Sequence, residues 1–365
     1  MKKYLSLMIL FLLTACGAKL TPITTCEKVG NIEPICRFTN PEDMESLPDN
    51  KTLLISQMGN MEGSKSGNLV AFDTTTQTIT TLFPLLATNP ASNNATENWG
   101  AKNCPGLPGA EFSPHGISFK QRDDGRFQLA IVNHGGRESV EMFEVLNTND
   151  QYALEWRGCV VPTDGIYMND VALMHNGGFV ASHMFDKHAP KVFGMSTGIW
   201  KSQMGMDTGY VFEWLPTASE TFRVLAESHG PFINGIQLSA DDKIVFANVY
   251  AGSEIRKLDR ASGKKLGSAH VVQTDNIGWD HHGFLLGASH TGKKLDQMDC
   301  MKHPGETCGF GFTIVRINPE TMATENIFEH EGAPMGAATI AQEIGDSLYI
   351  GSFSGNRIIK IPYAR

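Results

Sequence analysis

Two histidines placed 19 residues apart could act together in proton transfer. His115 opens an apolar run in FSPHGISF, and His134 follows the next apolar run in AIVNHGG. The ordinary pKa of histidine lies near neutrality, so one imidazole can take a proton from water while another orients or relays it. If the two runs form a β-hairpin, both rings lie at the same end of it. The spacing therefore fits a pair in which His115 could take a proton from water and His134 could orient or relay it.

A second group of polar residues stands at the start of other short apolar runs. Its members carry carboxylate or amide oxygens and are Glu42, Asp43, Asn169, Asp170, Asn234, Asp275 and Asn276. Each could be an ordinary turn residue, because Asn and Asp are frequent before strands. Brought together, they would be costly to bury unless they were paired or bound to a metal ion. Oxygen ligands without sulfur select a hard cation, and their number favours Ca²⁺.

An internal repeat explains how such distant residues could meet. Each unit has a polar opening, a short apolar strand, a polar turn and a second apolar strand. The units begin at Glu42, His115, Asn169, Asn234, Asp275 and Ala337. This pattern predicts an all-β fold, a six-bladed β-propeller, because a single β-sandwich has too few strands for a chain of 365 residues. Equivalent positions of all blades then surround one tunnel, where the polar residues would form a ring.

The N-terminus has the pattern of an export signal. MKKYLSLMILFLLTAC combines a basic start, a short apolar run and small residues before Cys16. The ending LTAC resembles a bacterial lipobox, which predicts a signal peptide at 1–15 and a lipid on Cys16 that anchors the chain to a membrane without spanning it. An ordinary cleaved signal is the alternative. Residues 16–40 would form a tether, residues 41–365 the propeller, and Gly17 favours the outer membrane.

The remaining cysteines and the charge narrow the kind of protein further. Six cysteines after Cys16 suggest disulfide bonds in an exported chain, although several pairings are open. Short loops favour Cys26–Cys36 and Cys300–Cys308, which would leave Cys104–Cys159. The lack of a C-x-x-C spacing argues against zinc. A net charge of −9 without a Lys/Arg cluster argues against nucleic acid as a partner.

Several motifs together resemble the serum paraoxonases, calcium-dependent lactonases and arylesterases within the broader gluconolactonase and strictosidine-synthase-like propellers. The resemblance covers roughly residues 40–365 and rests on PEDMESLP, FSPHGISF, VNHGGRESVEMFEV, NDVAL, NGIQLSADDK and DNIGWD. It implies a hydrolase of small ester or lactone substrates with two Ca²⁺ ions. The chain departs from the family in having no cysteine after Cys308, so the ring must close by strand pairing or through another partner of Cys36. The membrane-binding helices of the serum enzymes are also not evident.

The resemblance also implies a role for individual residues. The implied ligands of a catalytic calcium are Glu42, Asn169, Asn234, Asp275 and Asn276. The implied ligands of a structural calcium are Asp43, Asp170 and the main-chain carbonyl of Ile117. His115 and His134 match the proposed catalytic dyad of the family.

Alternatives remain for the base and for the function. A metal-bound carboxylate, Asp275 or Glu42, could act as base or nucleophile in place of His115. A calcium-stabilised propeller that only binds or assembles at the cell surface is one alternative function, and a sugar lactonase or phosphotriesterase is another. The sequence lacks the G-x-S-x-G pattern, which disfavours a serine hydrolase.

Further residues could shape the pocket. His183 and His290 both end a strand in ASH, which predicts positions equivalent to that of His134. Four apolar residues near the ring could line a pocket, although core packing is the stronger expectation for each. They are Met184, Phe185, Phe232 and Trp279. The loops at 88–110, 187–208 and 291–312 would set the choice of substrate.

Overall fold

The computed structural model describes residues 20–84, 97–149, 151–217, 222–301, 303 and 305–363. The predicted signal peptide at 1–15 and the predicted lipidation site Cys16 lie outside these residues, as do residues 88–96 of the first substrate loop. Within the described ranges, no helix is both long and apolar enough to cross a membrane.

The regular structure of the described residues is almost entirely short strands. In chain order the strands are β1 (Glu33–Ile35), β2 (Pro41–Ser46), β3 (Thr52–Gln57), β4 (Asn68–Asp73), β5 (Thr78–Phe83), β6 (Pro114–Gln121), β7 (Phe127–Asn133), β8 (Ser139–Thr148), β9 (Gln151–Val160), β10 (Met168–Leu173), β11 (Phe179–His183), β12 (Lys191–Val192), β13 (Met195–Ser196), β14 (Tyr210–Trp214), β15 (Phe222–Val224), β16 (Ile233–Leu238), β17 (Ile244–Val249), β18 (Glu254–Asp259), β19 (Lys265–His270), β20 (Thr274–Trp279), β21 (Leu285–His290), β22 (Phe312–Ile317), β23 (Thr324–His330), β24 (Ala338–Ile344), β25 (Ser347–Ser352) and β26 (Ile358–Pro362). Two short helices, α1 (Thr197–Gln203) and α2 (Lys294–Met301), lie in the loops that follow β11 and β21.

The strands form six antiparallel four-stranded sheets, so the predicted six-bladed β-propeller is confirmed. Blade one is β2 to β5 and blade two is β6 to β9. Blade three is β10, β11, β14 and β15, blade four is β16 to β19, and blade five is β20 to β23. Blade six combines β24, β25 and β26 with the N-terminal strand β1. Apolar layers between neighbouring blades make the core, as where Ala130 and Met142 of blade two share one cluster with Phe212 of blade three.

The ring closes by strand pairing. Strand β1 pairs with β26, with Glu33 opposite Lys360 and Ile35 opposite Ile358. These β1 residues lie within the predicted tether 16–40 but form the outer strand of blade six. The buried Arg357 guanidinium donates hydrogen bonds to main-chain carbonyls of the N-terminal segment and so holds that segment on the blade.

All three disulfides have the pairing that the short loops favour. They are Cys26–Cys36, Cys104–Cys159 and Cys300–Cys308. Cys36 therefore takes no part in closing the propeller, which relies on β1 instead.

The inner strand of each blade has a one-residue register shift near its start. The inner strands are β2, β6, β10, β16, β20 and β24. In blade two, Pro114 lies opposite Asn133, whereas Ile117 lies opposite Ile131, so one extra residue is accommodated between them. Such a bulge turns a side chain away from the regular pleat. The residues at the equivalent bulge position are Glu42, His115, Asn169, Asn234, Asp275 and Thr339. The repeat thus places one polar residue of each blade at the same level around the axis.

Candidate active site

The inner-strand bulges bring the predicted oxygen donors together in the interior. Glu42 of blade one accepts a hydrogen bond from the Asn276 side-chain amide of blade five at 2.9 Å, although the two residues are 234 positions apart. Asn169, Asn234 and Asp275 belong to the same buried layer. The sixth position of the layer is Thr339, whose hydroxyl donates to the main-chain carbonyl of Glu42. Sequence reasoning missed Thr339, because its unit was aligned from Ala337.

Four oxygens of this layer have no hydrogen-bond partner among the described residues. They are Glu42 Oε2, Asn169 Oδ1, Asn234 Oδ1 and Asn276 Oδ1. A buried acceptor without a partner costs about 1–3 kcal/mol, so four in one place are not expected in a site that is complete without a ligand. All four are hard oxygen donors of the kind that Ca²⁺ binds. The donor set therefore fits the implied calcium ion.

The charges of the layer fit a cation as well. Burial raises the pKa of Glu42 to about 7. Burial and repulsion from Glu42 raise the pKa of Asp275 well above its usual range. Within the described ranges, no group of three or more His, Cys, Asp and Glu side chains is arranged to hold a metal ion. The implied site differs from such groups because it uses two carboxylates and three amides. It therefore carries less negative charge than a cluster of carboxylates.

Asp43 and Asp170 directly follow the bulge residues Glu42 and Asn169, and each accepts a hydrogen bond from the next blade. Asp43 accepts the amide N–H of Ile117 at 2.7 Å, and Asp170 accepts that of Ile236 at 2.8 Å. Gly116 is needed for this approach, because a Cβ there would lie 2.4 Å from Asp170 Oδ1. The structure thus shows the amide of Ile117 in contact with Asp43, and the role of its carbonyl as a calcium ligand stays a prediction. Burial raises the pKa of both well above the usual range, with further repulsion from Glu42 on Asp43 and from Asp43 on Asp170.

The two predicted histidines are in direct contact. His115 Nδ1 lies 2.9 Å from His134 Nε2, and His134 Nδ1 lies 3.0 Å from Glu138 Oε2. Since a carboxylate only accepts, His134 carries its proton on Nδ1, and His115 must then donate from its own Nδ1. This leaves His115 Nε2 unprotonated, 3.6 Å from Glu42 Oε1 and within 3.5 Å of the Asn169 amide nitrogen. Burial lowers the pKa of His115 to about 4, which keeps the imidazole neutral.

Glu138 and Lys187 complete this arrangement and were missed from the sequence. Glu138 Oε2 also accepts from Lys187 Nζ at 2.9 Å, and Glu138 Oε1 accepts from the Met168 amide at 2.8 Å. Burial raises the pKa of Glu138, but His134 and Lys187 together lower it below its usual value. A line of contacts therefore runs from the oxygen layer through His115 and His134 to an ionised carboxylate.

The sequence model of the arylesterase family matches residues 23–359. The chain belongs to the arylesterase family. It is therefore a hydrolase of the esterase and lactonase type. The comparison with curated proteins gives no match. Two solved structures share the fold of this arylesterase-family chain. The gluconolactonase XC5397 from Xanthomonas campestris is 15% identical with a TM-score of 0.51, covering 94% of this chain and 95% of its own. The luciferin-regenerating enzyme is 13% identical with a TM-score of 0.53, covering 91% and 94% respectively.

A wall of rings borders the histidine pair of this arylesterase. Consecutive ring centroids lie 5.1–5.6 Å apart from His134 to Tyr250. The members in order are His134, Tyr167, Phe185, Phe232 and Tyr250. Tyr250 then donates its hydroxyl proton towards His290 Nδ1 at 2.8 Å, because His290 Nε2 donates to the Ala338 carbonyl at 2.9 Å. The predicted pocket residues Met184, Phe185 and Phe232 all lie in or against this wall.

The predicted equivalence of His183 with His134 is wrong, and Trp279 follows its stronger expectation, core packing. His183 lies opposite Met168, which makes it equivalent to Asn133 rather than to His134. A shift of one residue along a strand moves the side chain to the other face, so His183 points away from the ring. Trp279 ends β20 at the far side of the blade, where it packs against Phe246 at 5.8 Å. His290, in contrast, is equivalent to His134, because its neighbour Ser289 lies opposite Thr274.

Proposed function

We propose that the protein is a calcium-dependent hydrolase of esters and lactones, with the metal layer and the histidine pair as its catalytic machinery. The observation that supports this most directly is the position of His115 Nε2, an unprotonated and buried base, beside a layer with four oxygens that have no partner among the described residues. A structural metal site would need the oxygens but not the base.

Different residues would bind the metal ion, accept the proton and stabilise the charge during hydrolysis. Glu42, Asn169, Asn234, Asp275 and Asn276 would hold the catalytic calcium. When bound, Ca²⁺ supplies a Lewis acid that stabilises negative charge on the carbonyl oxygen of the substrate. His115 Nε2 takes a proton from water as the water attacks, and returns it to the leaving oxygen as the acyl C–O bond of the ester or lactone breaks. The proton that His115 already carries on Nδ1 faces His134 Nε2. The positive charge that forms on His115 is thus stabilised through His134 by the Glu138 carboxylate.

The aromatic wall would receive the apolar part of the substrate. Tyr167, Phe185 and Phe232 lie beside the histidine pair, and Ile199 of helix α1 packs against the same cluster. Apolar side chains with a few convergent polar groups are typical of small-molecule sites. Asp43 and Asp170, with Ile117 beside them, would hold a second, structural calcium, which would offset the repulsion between the two carboxylates.

Export as a lipoprotein anchored through Cys16 remains part of the proposal. Leu20, only four residues further on, donates its amide N–H to Asp299 Oδ2 of helix α2 at 2.9 Å. Four residues span at most about 14 Å, so a lipid on Cys16 would lie near the end of the propeller that carries α2. Lys294 of α2 also contacts Gln203 of α1, which places both helices at this end. An outer-membrane protein of this kind would meet its substrate at the lipid surface.

Hydrolysis assays can separate the enzyme from its alternatives. The form that starts at Thr21 is tested on phenyl acetate, a medium-chain lactone, a sugar lactone and a phosphotriester, with Ca²⁺ and with EGTA. Calcium-dependent turnover of the first two supports the proposal, whereas preference for either of the others indicates the alternative chemistry. No turnover of any substrate, together with a melting temperature that rises with Ca²⁺, would indicate a binding or assembly module.

A further inference from the structure

A cavity of about 570 Å³ lies on blade three, and no residue of the metal layer lines it. Its volume falls within the range of about 300–1,000 Å³ that is usual for small-molecule sites. Strand β14 supplies Tyr210 and Phe212, the outer strand β15 supplies Phe222 and Val224, and the segment before β10 supplies Ile166. The cavity therefore has aromatic and aliphatic walls.

A buried histidine points a free donor into this cavity. His183, only 6% exposed, lines the cavity and stacks against Tyr210 with ring centroids 4.7 Å apart. Its Nδ1 accepts the amide N–H of Tyr167 at 3.0 Å, so the proton of the neutral ring is on Nε2. His183 Nε2 has no hydrogen-bond partner among the described residues. Since His183 lines the cavity and this N–H has no partner in the protein, it is available to a ligand with an acceptor atom.

The rim of the cavity determines which charge that ligand can have. Asp164 and Asp186 line the cavity at its edge, and His188 Nε2 lies 2.7 Å from Asp164 Oδ1. Since His188 offsets the charge of Asp164, the Asp186 carboxylate is the charge that makes the entrance unfavourable for an anion. A ligand that fits the walls, the donor and the rim is aromatic, carries a hydrogen-bond acceptor and has no negative charge.

We propose that this cavity is a second small-molecule site, which binds uncharged aromatic compounds through an acceptor bonded to His183 Nε2. The site is separate from the ring and does not depend on the proposed calcium chemistry. Its ligand would lie flat between Tyr210 and the side chains of β15. Nothing in the hydrolytic mechanism uses His183, so the proposal gives a role to a buried polar residue that the active site leaves aside.

Three similar probes test the proposed ligand class. Benzamide has a ring and a carbonyl acceptor, benzoate adds a negative charge, and benzamidine replaces the acceptor with donors. Each is titrated into the full protein, and binding is followed by NMR of the histidine rings and of the probe. Benzamide is expected to bind with a Kd on the order of 1 mM and to shift the His183 signal. Benzoate and benzamidine are expected to bind at least tenfold more weakly.

A variant that fills the cavity tests the location. Val224 is 42% exposed on the outer strand of blade three, so Val224→Trp is expected to fold and to block the cavity. Leu266→Trp, on the outer strand of blade four, is the matched control. Benzamide affinity should fall at least tenfold in the first variant and stay unchanged in the second. If Val224→Trp does not fold, Phe222→Ala, which removes a wall, takes its place. No binding of benzamide, equal binding by the blocked variant, or equal affinity for benzoate would overturn the proposal.

Discussion

His115 and His134 are joined ring to ring, with Nδ1 of the first 2.9 Å from Nε2 of the second and both imidazoles buried. Because the proton between them belongs to His115, the free lone pair of His115 faces the metal layer. His134 has no free nitrogen, since its Nδ1 is occupied by Glu138. The two histidines therefore have different roles, with His115 as the base and His134 as the residue that positions it.

This difference predicts unequal effects of substitution. His115→Gln removes the base and is expected to lower kcat for phenyl acetate about 10²–10⁴-fold, with little change in calcium affinity. His330→Gln is the control, because His330 Nε2 also lies against a main-chain carbonyl, that of Ala333, but on the outer strand of blade five. The control should keep kcat within about tenfold. Activity of His115→Gln close to that of the wild type would assign the base to a carboxylate instead.

Glu138 predicts a stability difference that depends on pH. His134 and Lys187 lower the pKa of Glu138 despite burial, so its ionised form stabilises the fold above the ordinary value of 4.5. At pH 7 the free energy of unfolding of the wild type should exceed that of Glu138→Gln by about 2 kcal/mol. The difference should shrink as the pH falls below 4.5 and through the lowered pKa. Urea unfolding at several pH values measures it.

Glu141→Gln is the control for this pH dependence. Burial raises the pKa of Glu141, so its folded form holds a proton more tightly than the unfolded chain does. The stability difference between the wild type and Glu141→Gln should therefore fall as the pH rises from 4.5. This pH dependence is opposite in direction to that for Glu138→Gln. A difference for Glu138→Gln that stays constant from pH 7 to pH 3 would contradict the ion-pair assignment.

Arg357 predicts how much the N-terminal segment contributes to closure. The buried guanidinium holds main-chain carbonyls of Ile23, Thr25 and Pro334, which Met cannot do. Arg357→Met is expected to lower the free energy of unfolding by about 3 kcal/mol, since it leaves buried acceptors unpaired. Arg316→Met removes the more exposed pair with Glu325 and a contact with the Phe284 ring, and should cost about 1 kcal/mol. Equal effects of the two would show that the segment adds little to closure.

Cys16 predicts where the protein is found in a bacterial cell. The wild type should carry lipid and sediment with membranes, whereas Cys16→Ala should lose the lipid. Intact mass and fractionation of the full chain measure both properties. Wild-type protein that is soluble and free of lipid would support the ordinary cleaved signal.

The blades and the main polar residues could be predicted because each unit repeats the same local pattern. The NDV and NGI segments both begin at a bulge, so their asparagines fall at the same level of the ring. Thr339 was missed because threonine before an apolar strand has no distinctive pattern. His183 was misplaced because the repeated ASH hides a difference of one residue in register, which only the pairing of β10 with β11 determines.

Contacts between blades could not be predicted from local pattern. Glu138 and Lys187 are 49 residues apart and belong to segments after different strands, so nothing near either residue indicates the pair. The aromatic wall could not be predicted as a unit for the same reason. Its rings come from several blades, and any one of them could equally have packed in a core. Trp279 did pack in a core.

The central claim is that the oxygen layer holds a calcium ion on which hydrolysis depends. The most direct measurement is phenyl acetate turnover by EGTA-treated protein as free Ca²⁺ is raised, for the wild type, Asp275→Asn and Asp280→Asn. Asp280 is the matched control, because it accepts main-chain N–H groups in the turn at the far end of the same hairpin. The account predicts saturable activation of the wild type and of Asp280→Asn, and loss of activity in Asp275→Asn. Turnover that EGTA leaves unchanged, or that Asp275→Asn retains in full, would contradict it.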